Sequence, residues 1–134
     1  MEKLAEMLRD RLNGDCAETF REKYYGRFFS GDMSVKYDAQ VFTLSIHQGK
    51  VVAVQQGTPI TGVDIGVGGG AEDWQEFSHR KSLSVSLNSM NPHNLSLMGA
   101  PLRTRQNFNA LAYLCRVFSE ILEAGGLKLI GKGA

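Results

Sequence analysis

The chain has 134 residues, enough for one domain of ordinary size, and it reads as a single domain over 1–134. Its 43% hydrophobic and 22% charged residues are a globular composition that buries a sizeable core without disulfide or metal staples. A formal charge of +1 excludes a strong overall field toward nucleic acid or acidic lipid, so any basic site has to be local.

Two cysteines, Cys16 and Cys115, lie far apart in a pattern that is neither a disulfide framework nor a metal-ligand spacing, and both are expected as reduced, buried thiols. The amino-terminal stretch carries charge in every turn, unlike the apolar core of a signal peptide, and no apolar run approaches about 18 residues. The expectation is a cytoplasmic protein without stable membrane insertion.

In chain order, Leu4, Met7, Leu8 and Leu12 recur at helical spacing, and Asn13-Gly14 ends the helix. Asp15, with Glu18 three residues on, resembles a capping box opening a second helix. On it Phe20, Tyr24 and Phe28 recur every four residues, which predicts one apolar side packed on a sheet. The aromatics from Phe20 to Phe29 interleave with Arg21, Lys23 and Arg27, a mixture that single-stranded nucleic acid also favours. The helical spacing favours packing, and no nucleic-acid partner is expected.

Phe42, Leu44 and Ile46 then alternate with Thr43, Ser45 and His47, and Gln48-Gly49 turns the chain into Val51–Val54, a β-hairpin. Val35-Lys36-Tyr37 is expected to pair beside it. A second turn at Gly57-Thr58-Pro59 leads to Val63, Ile65 and Val67, and the short connection predicts antiparallel neighbours. The apolar face of such a sheet needs cover from helices or from a ligand. Ala71 to Phe77 predicts a short helix with Trp74 and Phe77 inward, and Lys81 to Asn94 reads as irregular chain with one strand at Leu83 to Leu87. Leu95 and Leu97 give a last strand ending at Gly99. A long helix from Gln106 to Ala124 follows, stopped by Gly125-Gly126. Its apolar arc implies burial on more than one side, by the sheet and by a cavity or second subunit.

Several chemistries are weak in this sequence. Gly66-Val67-Gly68-Gly69-Gly70-Ala71 fits the loose dinucleotide pattern, but the antiparallel context and the missing acidic residue about 20 positions on favour a flexible turn. His47, His79 and His93 have no ligand partners at helical spacing, so no metal is expected. No nucleophile elbow occurs. Asp64 with Asp73 or Glu72 could converge as acid and base, yet a strand-edge Asp and an acidic helix start are ordinary structure. Arg103 and Arg105 stand at the start of the last helix, where a cation calls for an anionic companion such as a carboxylate or phosphate. The competing reading points both to solvent.

Three stretches carry a family resemblance: the hairpin from Val41 to Val54, the Val63–Val67 strand leading to Glu72-Asp73-Trp74, and Asn94 to Gly99 feeding the terminal helix. In pattern and order the chain resembles the sterol carrier protein 2 family. The chain departs from it at Gly99-Ala100-Pro101 and in the Ser/Asn-rich segment. The resemblance implies an α+β domain with a five-stranded, mainly antiparallel sheet covered by helices, a long C-terminal helix and an apolar cavity between the layers. It implies binding of a sterol, fatty acid or fatty acyl-CoA for carriage or for presentation to a partner, with no cofactor and no catalytic residue.

The expected ligand-binding residues are Phe42, Leu44, Trp74, Phe77, Leu97, Phe108, Leu111 and Cys115 as apolar wall, with Arg103 or Arg105 at an anionic headgroup. Two alternatives remain open. One is a small enzyme with a cone-like α+β pocket for an apolar substrate, using Asp64, Asp73 or His93. The other is an interaction module that forms a homodimer through the C-terminal helix.

Overall fold

A computed structural model of the chain describes residues 2–88, 93–126 and 128. Helix α1, Glu2–Asn13, buries Leu4, Leu8 and Leu12 along one stripe, as their spacing predicts. Strands β1 (Gly31–Tyr37), β2 (Gln40–His47), β3 (Lys50–Gln56) and β4 (Ile65–Gly69) follow, then helices α2 (Ala71–Arg80) and α3 (Leu83–Asn88), strand β5 (Ser96–Gly99), and helices α4 (Pro101–Gln106) and α5 (Phe108–Ile121). The strands form one sheet in the order β3-β2-β1-β4-β5. The architecture is α+β with a mostly antiparallel sheet.

The β2–β3 hairpin forms in the predicted place, with Leu44 opposite Val54, and β1 pairs antiparallel to β2. Strand β4 departs from the expected meander. It lies on the far side of β1 and runs parallel to it, with Met33 beside Ile65 and Val35 beside Val67. The register gives the reason: this placement extends the apolar rows of β1 and β2, whereas β3 is exposed at Val52, Ala53 and Gln55. The connection 57–64 makes the return, and its Gly57 carbonyl accepts the Thr43 hydroxyl at 2.8 Å. Ser34 and Thr43, on the sheet's other face, are fully buried and bonded to each other at 2.8 Å. The outer edge of β3 is partly covered by Asn13, whose amide donates to the Val51 carbonyl (2.8 Å) while its carbonyl accepts from the Val51 N–H (2.9 Å), the two bonds a further strand would make.

The glycine run is strand, not a flexible turn. Gly66 sits where a Cβ would come within 2.8 Å of the Ser34 carbonyl oxygen, so the close approach of β1 excludes a larger residue there. The first turn of α2 is already supplied with carboxylates, Asp73 accepting from the Gly70 N–H at 2.7 Å and Asp38 from the Ala71 N–H at 3.1 Å. A pyrophosphate would have to displace both.

Three helical expectations also change. The second helix unwinds into a π-helical turn at Thr19–Lys23 and a 3-10 turn at Gly26–Phe28, separated by Tyr25 in the left-handed region (φ 62°). Phe20 and Phe29 are therefore buried, but Phe28 is turned out, 70% exposed. Leu83 to Leu87 forms helix α3 instead of a strand, because Leu-Ser-Val-Ser-Leu is too short to separate the two periods; Leu83 and Ser86 are buried, three apart, and the Ser82 hydroxyl accepts from the Val85 N–H (3.3 Å). Part of the segment read as irregular, 89–92, lies outside the described residues. The last helix begins earlier than Gln106, since Pro101 takes its favoured place in the first turn of α4, and the axis breaks at Asn107.

Helix α5 closes the core against the inner face of the sheet. Phe118, fully buried, meets Phe42 edge-on at 5.6 Å and Trp74 at 5.0 Å between ring centroids. Its remaining buried residues face α1, α2 and the Thr19–Lys23 turn, so the wide apolar arc is covered within one chain. Asn109 and Arg116 stay exposed on its outer line. On the flank, Tyr113 stacks on Tyr24 at 4.5 Å, and burial, reinforced by a hydrogen bond with Cys16, pushes its phenol up to about 12. The unfolded chain releases this proton near the ordinary tyrosine value of about 10, so the contribution to stability is complete below pH 10 and is lost as pH rises toward 12. Tyr113→Phe should accordingly show a shallower fall in melting temperature than wild type across that window, measured by circular dichroism.

Candidate functional site

Strand β5 ends at Gly99, where a positive φ (92°) and the bond from the Ala100 N–H to the Asp64 carbonyl (3.0 Å) reverse the chain into α4. Thr104 is held back on the same turn by its hydroxyl, which donates to the Ala100 carbonyl at 2.8 Å. Pro101, Thr104 and Arg105 then fall at offsets of three and four on one side of α4, and Phe108 joins them from the first turn of α5. With Leu97 and Gly99 of β5 they line an open groove of about 390 Å³. Its walls are mainly apolar, and Arg105, exposed to solvent, sets a cation on them.

Arg103 faces away from this groove. Its guanidinium grips the Asp64 carboxylate through Nε (3.1 Å) and an Nη (2.7 Å), donates to the Ser30 carbonyl at 3.0 Å, and lies over Phe29 at 5.2 Å. The hydrogen bonds to Asp64 raise its pKa further. This fork-to-fork pair, with the Ser30 contact, ties α4 to the loop before β4 and to the start of β1, and the cation that lines the groove is Arg105.

The other expected wall residues divide by depth. Phe42, Leu44, Phe77, Leu111 and Cys115 are fully buried in the core between sheet and helices, where burial drives the Cys115 thiol pKa well up. Trp74 is 1% exposed, with its indole N–H on the Lys36 carbonyl at 2.9 Å, but its edge borders a second cavity of about 530 Å³ together with Tyr37, His79, Leu122 and Glu123. Leu97, 40% exposed, and Phe108 join Arg105 in the α4 groove. Gly99, Pro101 and Thr104 line the groove as well, and their signal in the sequence is the proline, which suits the first turn of a helix that starts before Gln106.

Asp64 and Asp73 stand before and after β4 and do not converge. Asp64 is engaged by Arg103, and Asp73 caps α2 while lying 3.9 Å from His93, which is 3.2 Å from Glu72.

No family model and no curated protein matches the sequence. Solved structures do. A conserved protein of Thermus thermophilus, a sterol carrier protein candidate, superposes with a TM-score of 0.57 at 16% identity, covering 88% of this chain and 87% of its own. The UbiJ-SCP2 ubiquinone synthesis protein superposes with a TM-score of 0.55 at 19% identity, covering 87% of this chain and 90% of its own. Coverage this broad takes in sheet and helices alike, and the chain therefore has the sterol carrier protein 2-like fold.

Proposed function

We propose that the chain binds an apolar small molecule carrying an anionic head, with its hydrocarbon body in the α4 groove and its head at Arg105. The observation that carries this reading is the groove itself. An exposed leucine, a proline and a phenylalanine converge with the guanidinium of Arg105, which has no ion pair among the described residues, while the neighbouring Arg103 is bound to Asp64. Its volume lies within the range of small-molecule sites, about 300–1,000 Å³. Each buried methylene contributes about 0.8 kcal/mol, so a medium-length acyl chain supplies the driving force without a cofactor. The fold shared with a sterol carrier protein candidate and a ubiquinone synthesis protein supports lipid-like ligands, and a prenylated quinone belongs in the test panel beside fatty acids, acyl-CoA and sterols.

Displacement of a fluorescent fatty acid tests the assignment. Phe108→Ala should weaken binding about tenfold, in line with one lost apolar wall. Arg105→Glu should weaken a fatty acid and leave a neutral sterol unchanged. Equal affinities in wild type and both variants would remove the groove from the reading.

A further inference from the structure

Strand β5 is the outer strand of the sheet: β4 lies along one side of it, and nothing among the described residues pairs with the other. The bond from the Ala100 N–H to the Asp64 carbonyl (3.0 Å) fixes the phase of the ladder. Met98 and Ser96 face Gly66 and Gly68 as bonded pairs, so the N–H and C=O of Leu97 and Gly99 turn outward. The opposite edge of the sheet is treated differently, since Asn13 already supplies β3 with the two bonds of a further strand. On β5 no charge, proline or bulge blunts the row, and Ser96, Leu97 and Gly99 are exposed. Beside this row lies the α4 groove. Leu97 stands opposite Val67, a core residue, so its side chain points to the inner side of the sheet, where Pro101, Thr104, Arg105 and Phe108 wall the groove.

We infer that the β5 edge docks an extended, acidic segment of a partner protein as a further strand. The segment's backbone bonds Leu97 and Gly99, an apolar side chain enters the groove, and a carboxylate further along the same face meets Arg105. Strand addition of this kind takes its affinity from main-chain bonds and its selectivity from the side chains of one face. Those side chains recur at every second residue, so the segment carries an apolar residue with an acid two or four positions away. Charge calls for the acid: Arg105 has no ion pair among the described residues, and no carboxylate lines the groove. A second copy of this chain does not answer that charge, because the stretch 89–106 around its own β5 contains no acidic residue. The docking edge stands on backbone geometry and charge; competition between the segment and a fatty acid rests on the function proposed above.

Selection of short random peptides on the immobilised full chain tests it. Enriched peptides should carry the apolar-and-acid pattern, and their binding, followed by fluorescence anisotropy, should be abolished by backbone N-methylation at one set of alternate residues and spared at the other. Leu97→Pro deletes an outward donor at a place where a sheet edge tolerates proline, and should weaken these peptides about tenfold. Arg105→Glu should weaken them about as much. Hydrogen exchange reads the edge directly: the Leu97 and Gly99 amides should exchange fast in the free protein and at least about tenfold more slowly with peptide, while Met98 stays protected throughout. A selection that enriches nothing, or peptides that bind Leu97→Pro and wild type equally and leave both amides fast, overturns the docking edge even where the protein binds fatty acid. Slow exchange at Leu97 in the free protein together with a doubled mass by light scattering gives the edge to a second copy and overturns it too. Peptides that bind as described to a protein that ignores fatty acid uphold the edge and overturn only the function proposed above.

Discussion

Gly99→Ala should destabilise the protein by about 4 kcal/mol, lowering the melting temperature by roughly 12–20 °C. At φ 92° a side chain is strained on any account, and here the added Cβ would land on the Asp64 carbonyl, with the carbonyl carbon at 2.8 Å and the Ile65 Cα at 2.9 Å. Relief requires β5 to move off β4, which breaks the pairing of Gly99 with Ile65 and the bond from Ala100 to Asp64. The same shift pulls Arg103 from Asp64. Gly99 also lines the groove, so any variant that stays folded should bind fatty acid more weakly than its loss of stability alone explains. Thermal denaturation with ligand titration on the folded fraction checks both statements.

Phe118→Ala should cost about 3–5 kcal/mol, a large part of the stability of a domain this size. The ring is fully buried and is the joint at which sheet and helices meet, edge-on to Phe42 from β2 and to Trp74 from α2. Truncation leaves a cavity that neither neighbour can fill without leaving its other contacts, since Trp74 is held by the Lys36 carbonyl. Phe118→Leu should cost markedly less, because it keeps most of the volume. Urea denaturation separates the two, and equal midpoints would show that α5 is not the keystone of the core.

Much of the fold was legible from period alone. The hairpin stood out because Phe42, Leu44 and Ile46 alternate strictly with polar residues, and α1 because its leucines repeat at fixed helical intervals. What failed did so where local pattern has no information about tertiary choice. The eight residues from Gly57 to Asp64 look like a hairpin connection, yet they return the chain across the sheet so that Ile65 and Val67 can extend the inner apolar rows. Phe20, Tyr24 and Phe28 fit one helical side, but the chain breaks at Tyr25 and only the first two stay covered.

The candidate site was legible by residue type and less so by depth. Leu97, Arg105 and Phe108 come together in one groove, while five other expected wall residues lie in the core. Both sets are apolar, and sequence alone does not tell a residue that faces a packed interior from one that faces a ligand. Of the two arginines, Arg103 found its anion inside the chain because Asp64 precedes β4 at the position that α4 crosses. That pairing spans 39 positions and leaves no local signature.

Amide chemical-shift mapping of the isotope-labelled protein during titration with a fatty acid tests the central claim most directly. The account predicts the largest shifts at Gly99, Thr104, Arg105 and Phe108, with small ones at Tyr37, Trp74 and His79 around the other cavity. Shifts confined to the cavity between α2 and Leu122, or none at saturating fatty acid, would contradict it.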